Sequence, residues 1–154
     1  MKNIIYLTLV FVLLSCSKQE EVGVIYQSQQ LEGNWEFSEQ GKNEWFPAKV
    51  PGSVHMDLLN NQQIEDPFFE NNELKQRWIE NKNWSYRTTF EVDSLNLSSQ
   101  RNSLKFDGLD TYANVFLNDT LILTANNMFR SWEVLVQDLL HLGTNELRIE
   151  LESP

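Results

Sequence analysis

Trp84-Ser85-Tyr86-Arg87-Thr88-Thr89-Phe90-Glu91-Val92 is the stretch that decides the fold. Trp84, Tyr86, Thr88, Phe90 and Val92 fall on one side of an extended chain, and Ser85, Arg87, Thr89 and Glu91 on the other. Alternation with period two over nine residues predicts a β-strand with one buried and one wet face. Leu147, Ile149 and Leu151, alternating with Arg148, Glu150 and Glu152, repeat the pattern near the end of the chain. Between them, Ala113, Val115 and Leu117 share a face, Asn118-Asp119 makes a turn, and Leu121 to Thr124 returns. Asn and Asp tolerate the positive φ that tight hairpins require. Leu104 to Phe106 and Ser131 to Val136 read as further strands, and Trp35 to Phe37 with Trp45-Phe46 as an opening pair.

Two short helices are expected among the strands. Pro51-Gly52 turns the chain, and Ser53 is placed to cap a helix in which Val54 and Leu58 lie four apart. Asn72 is placed to cap a second, in which Leu74 and Trp78 lie four apart and Glu73 occupies the first turn. Many short strands separated by turn signals predict an all-β jelly-roll β-sandwich carrying two short helices.

Outside this region the chain has a different character. Met1-Lys2-Asn3 is a short basic start, and Ile4 to Leu14 is an uncharged apolar run. That run is short of the about 20 residues a membrane span needs but suits the core of a signal peptide. Leu13-Leu14-Ser15-Cys16 resembles a bacterial lipobox, which implies cleavage before Cys16 and its acylation. Cys16 is the only cysteine of the chain and has no internal disulfide partner. Residues 1–16 are therefore read as a lipoprotein signal and lipobox, 17–30 as a polar tether, and 31–154 as the folded domain. The expected location is the bacterial cell envelope, lipid-anchored on the periplasmic or outer-membrane surface, with the membrane as a partner through Cys16.

The 154-residue chain has a formal net charge of −10 and no cluster of Lys or Arg. That argues against nucleic acid, which needs a basic face. His55 and His141 stand without a second ligand at metal-motif spacing, so surface or packing roles are the better reading and neither a metal nor a cofactor is expected. Twenty-two Asp and Glu residues make chance carboxylate pairs inevitable, so no catalytic pair is nominated.

An ordered series of motifs carries a resemblance. Leu31-Glu32-Gly33-Asn34-Trp35 opens it, and Val50-Pro51-Gly52-Ser53-Val54-His55-Met56-Asp57-Leu58-Leu59 is its most recognisable segment. Asp66-Pro67-Phe68-Phe69, Asn72-Glu73-Leu74, Arg77-Trp78-Ile79 and Asn83-Trp84-Ser85-Tyr86-Arg87 follow in order. Phe106 to Thr111, Leu117-Asn118, Met128-Phe129 and Trp132 complete it. Over 31–153 the chain resembles the N-terminal, galactose-binding-like domain of β-mannosidases in glycoside hydrolase family two.

The resemblance implies hydrolysis of terminal β-linked mannose with retention, by two glutamates of a downstream (β/α)₈ barrel of about 250 residues. It also implies that the loop from the first helix to the second faces the barrel and helps close the sugar pocket. On that basis Asp66, Asn72, Glu73 and Trp78 are candidate substrate-proximal residues. Helix capping by Asn72 and core packing by Trp78 are the structural alternatives. The chain stops at Pro154, before any such barrel, so it is expected to be inactive alone. Three readings stay open: a fragment of an enzyme, a free-standing carbohydrate-binding lipoprotein, and an accessory domain docking on a separate catalytic chain. The expected ligand is a β-mannoside or another glycan, bound weakly or only with the barrel present.

Overall fold

The computed structural model describes residues 28–98 and 101–153. The lipobox cysteine, Cys16, and nearly all of the tether lie outside the described residues. Eight strands form two antiparallel sheets. They are β1 (Trp35–Glu39), β2 (Phe46–Ala48), β3 (Trp84–Val92), β4 (Ser103–Phe106), β5 (Tyr112–Leu117), β6 (Thr120–Ala125), β7 (Trp132–Leu135) and β8 (Gly143–Glu152). The large sheet runs β2-β1-β3-β8-β5-β6, and β4 pairs with β7 in the small one. Sandwich and sheet-edge logic both hold: Pro47, which lacks an N–H, sits in the short edge strand β2.

β3 has the bounds its alternation predicts. Trp84, Tyr86, Thr88 and Val92 are buried and Phe90 half-buried, whereas Thr89 and Glu91 are exposed. Thr88 meets the cost of burying a hydroxyl by donating to the Asn34 carbonyl at 3.3 Å. Ser85 departs from the pattern. It belongs to the wet face but is buried, flanked in the ladder by Ser38 and Glu150. The turn at residues 39–42 folds over that corner, with Ser38 Oγ donating to the Lys42 carbonyl at 3.2 Å.

The hairpin of β5 and β6 turns at Asn118 and Asp119, with φ of 48° and 63°, the doubly left-handed geometry that matches strand twist. The core joins both sheets and the helical layer: Trp35, Phe37, Trp84, Tyr86, Val115 and Ile149 from the large sheet, Phe106 from the small one, and Leu58 and Ile79 from the helical segments. Phe37 is fully buried, with its ring 5.9 Å from those of both Trp84 and Tyr86. Such a side chain contributes about 1.5–3 kcal/mol by its burial.

The helices required corrections. The first is as expected: α1 (Val54–Asn60) starts at Ser53, whose side chain accepts from the Met56 N–H. The second, α2 (Asn72–Lys75), is a single turn. Asn72 lies inside it and does not cap it; the N-cap position is Asn71, without a side-chain cap bond. Trp78 lies beyond α2, at the entry to a 3₁₀ turn over Ile79–Asn81. Leu74 and Trp78 therefore do not share a helical face. A further helix, α3 (Ser94–Leu97), capped by Asp93, was not anticipated. Trp45 lies just outside β2, so the opening pair is β1 with 46–48.

Candidate functional site

The segment from α1 to β3 carries all four candidate residues, and α1 anchors it. Gly52 passes so close to Lys49 that a β-carbon there would lie 2.1 Å from the Lys49 carbonyl oxygen. Inside α1, Asp57 is fully buried. Its Oδ1 accepts from the Lys49 N–H at 2.9 Å and its Oδ2 from the Tyr86 hydroxyl at 2.8 Å. Burial and the carboxylate beside it push the Tyr86 phenol well above its ordinary range, so it stays a donor. Asn61 closes the helix by donating to the carbonyls of Pro47 and Asp57.

Beyond α1, Asp66 is exposed and shapes the loop. Its carboxylate accepts from the Phe68 N–H at 2.9 Å, and its carbonyl accepts from Phe69 N–H and the Asn72 side chain. Asn72 is only 4% exposed, and both ends of its amide are engaged: Nδ2 donates to Asp66 O, and Oδ1 accepts from Lys75 Nζ at 2.9 Å. Gln76 performs a similar task, donating from Nε2 to the Glu65 carbonyl at 2.7 Å. These two buried amides hold the loop against α2.

The four candidates do not converge. Glu73 lines a cleft of about 140 Å³ with His55, Pro67, Gln76, Arg77 and Glu80. Trp78 lines a different cleft, of about 250 Å³, with Phe37, Phe46 and Trp84 among its neighbours. Asn72 sits behind the loop and Asp66 on it. Trp78 is 40% exposed, with its ring 6.2 Å from that of Trp84 and tilted by 47°, so it both packs and presents a free surface.

Phe68, 94% exposed, and Phe69 and Leu74, also exposed, form an apolar stretch on the same segment.

His55 borders the Glu73 cleft and is exposed; His141 is exposed at the far end of the domain, before β8. Among the described residues no three His, Cys, Asp or Glu side chains gather as metal ligands would. Sequence reasoning passed over Asp57, although its place on the face of Val54, Leu58 and Asn61 signals a buried carboxylate in need of partners. It also passed over Gln76, which no spacing distinguishes from a surface amide.

The chain is 44% identical to the β-D-mannosidase of Dictyoglomus thermophilum, with a TM-score of 0.79 over 80% of this chain and 15% of that one. It is 39% identical over 129 residues to β-mannosidase B of Aspergillus terreus, covering 80% of this chain and 15% of that protein. The β-mannosidase of Capra hircus is 36% identical over 126 residues, again 80% of this chain, and 14% of the goat protein. The chain thus spans about 15% of the length of these relatives. The exo-chitosanase of Amycolatopsis orientalis, 23% identical with a TM-score of 0.69 over 77% of this chain and 16% of that one, shares the fold. The family described as glycosyl hydrolase 2 galactose-binding domain-like matches residues 35–154. The chain therefore belongs to that family, as an N-terminal domain of the β-mannosidase type of glycoside hydrolase family two.

Proposed function

We propose that this domain works as the flank of a sugar pocket, completing the site of a β-mannosidase-type catalytic barrel that hydrolyses terminal β-linked mannose. The observation that carries this reading is the segment 66–78, which presents Asp66, Phe68, Phe69, Glu73 and Trp78 outward while Asn72 and Gln76 pin it from behind. A loop held by buried hydrogen bonds can position side chains against a partner surface at little entropic cost. Asp66, Glu73 and Trp78 then lie near the substrate, and Asn72 is a positioning residue. Without a barrel the chain gives no turnover. Acylation at Cys16 would hold the domain at the bacterial cell envelope.

The test is a chimera. Residues 31–153 replace the equivalent domain of the Dictyoglomus thermophilum enzyme, and hydrolysis of an aryl β-mannoside is measured. The expected result is activity that Glu73→Gln and Asn72→Ala reduce without unfolding the protein. A folded chimera with no activity, or one indifferent to both substitutions, overturns the proposal. The exposure of Phe68 and Phe69 also suits docking on a separately encoded barrel, and mixing the chain with such a barrel reads that arrangement directly.

A further inference from the structure

We propose that Asn83 is a positioning residue: together with the Glu80 carbonyl it clamps Ser153, and so fixes the path by which the polypeptide leaves this domain against the turn that carries Trp78 and Glu80. The inference rests on the pocket-flank reading, and it names what aims that flank at a barrel joined through residue 153.

The strand ladders alone stop short of the exit. Trp84, the first residue of β3, pairs with Leu151, and Tyr112, the first of β5, pairs with Glu152. Ser153 lies beyond both ladders and is held all the same. Its N–H donates to Asn83 Oδ1 at 2.9 Å, and its hydroxyl donates to the Glu80 carbonyl. Glu152 is gripped on the opposite flank. Its Oε1 accepts from Asn114 Nδ2 at 2.9 Å, and Asn114 Oδ1 accepts from the Thr124 hydroxyl at 2.9 Å.

The clamp is itself seated on the sheet. The Asn83 carbonyl accepts from the Gln40 N–H at 2.8 Å, which ties it to the turn after β1. Ile79 is buried, and its carbonyl accepts from the Trp84 indole and from the Lys82 N–H, each at 3.3 Å. Glu80, which lines the Glu73 cleft, belongs to this 3₁₀ turn, and Trp78 stands at its entry. The exit and the flank therefore move together. Connections between domains are ordinarily exposed and free to bend. This one starts from a hydrogen-bonded point beside the flank.

The consequence falls on affinity. When a domain tilts freely at its exit, only a fraction of the molecules hold the flank in place, and the apparent affinity drops by that fraction. Substrate binds the aligned molecules, so the chemical step in the bound complex is untouched. Loss of the clamp thus raises KM and spares kcat.

The experiment has two measurements. Amide hydrogen exchange of the full chain, followed by NMR, should show a protected Ser153 N–H. Asn83→Ala should abolish that protection, and Asn83→Asp, whose carboxylate accepts the same N–H, should keep it. Asn83 is exposed, so neither substitution threatens folding. In the chimera described above, Asn83→Ala should raise KM for the aryl β-mannoside about three- to tenfold with kcat kept within about twofold, and Asn83→Asp should match the wild type. An unprotected Ser153 amide, an Asn83→Asp no better than Asn83→Ala, or a fall in kcat as large as that in kcat/KM overturns the proposal. So does a chimera in which Glu73→Gln lowers activity while Asn83→Ala leaves KM unchanged, and that outcome spares the pocket-flank reading. A folded chimera with no activity overturns the pocket-flank reading and, with it, this role of Asn83.

Discussion

The hydroxyl of Tyr86, at the centre of the large sheet, donates to the buried carboxylate of Asp57 in α1 across 2.8 Å, and this bond ties the helical layer to the sheet. The other carboxylate oxygen takes the Lys49 N–H, so the same side chain fixes the strand-to-helix entry. Asp57→Ala leaves the buried Tyr86 hydroxyl and the part-buried Lys49 N–H unpaired and should destabilise the domain by about 2–4 kcal/mol; Tyr86→Phe should cost about 1.5–3 kcal/mol. Urea unfolding of both variants checks this, and a change below about 0.5 kcal/mol in Asp57→Ala would contradict the role given to this pair.

The same pair predicts an alkaline signature. The folded state raises the Tyr86 pKa, so the folded domain keeps that proton after the unfolded chain, ionising near 10, has lost it. The contribution is complete below about pH 10 and falls as pH rises beyond it, by about 1.4 kcal/mol per unit for this one group. Tyr86→Phe lacks that slope. The stability gap between wild type and variant should therefore narrow as denaturation is repeated from about pH 9 to about pH 11. A constant gap would sink the assignment.

Gly52 is required by its neighbour and not by its φ. A methyl group there collides with the Lys49 carbonyl, which is backbone and cannot rotate away. Gly52→Ala should cost about 1–3 kcal/mol, the range of overpacking, and should loosen α1. Hydrogen exchange at the amides of 54–60 would reveal the loosening. Unchanged protection there would mean that the turn relaxes freely.

Asn145 closes a compact network at the opposite end of the domain. Its amide donates to the His141 and Gly143 carbonyls, and its oxygen accepts from the His141 N–H and the Asn118 side chain. Asn118 in turn bonds the Leu139 carbonyl and the Glu146 N–H. Asn145→Ala, at a fully buried position, should destabilise by about 2–3 kcal/mol, with a smaller loss added by Asn118→Ala in the same background than alone. A double-mutant cycle by thermal unfolding measures that coupling, and strict additivity would separate the two residues.

Regular elements were legible wherever one chemical rule governed a run of residues. The strand from Trp84 to Val92 followed from period two, and the Asn118-Asp119 hairpin from tolerance of positive φ. The stretch 66–83 was less legible because no period governs it. Adjacent Asn71 and Asn72 offer the same capping chemistry, and a one-turn helix is too short to separate them by pattern. The grouping of Glu73 with Trp78 came from the resemblance and not from a period, and with the helix ending at Lys75 the two side chains line different clefts. Asp57, Gln76 and the Glu39 turn depend on partners distant in sequence, which spacing cannot reveal.

In the large sheet, β8 lies between β3 and β5, and every rung of β3 from Trp84 to Val92 pairs with it. The last strand of the domain to leave the ribosome is thus the keystone of its main sheet. Until residues 143–152 emerge, β2-β1-β3 and the β5-β6 hairpin have no backbone ladder joining them. Co-translational folding must wait for the end of this domain, and nascent chains stalled short of Gly143 would present two open sheet edges for chaperones to shield.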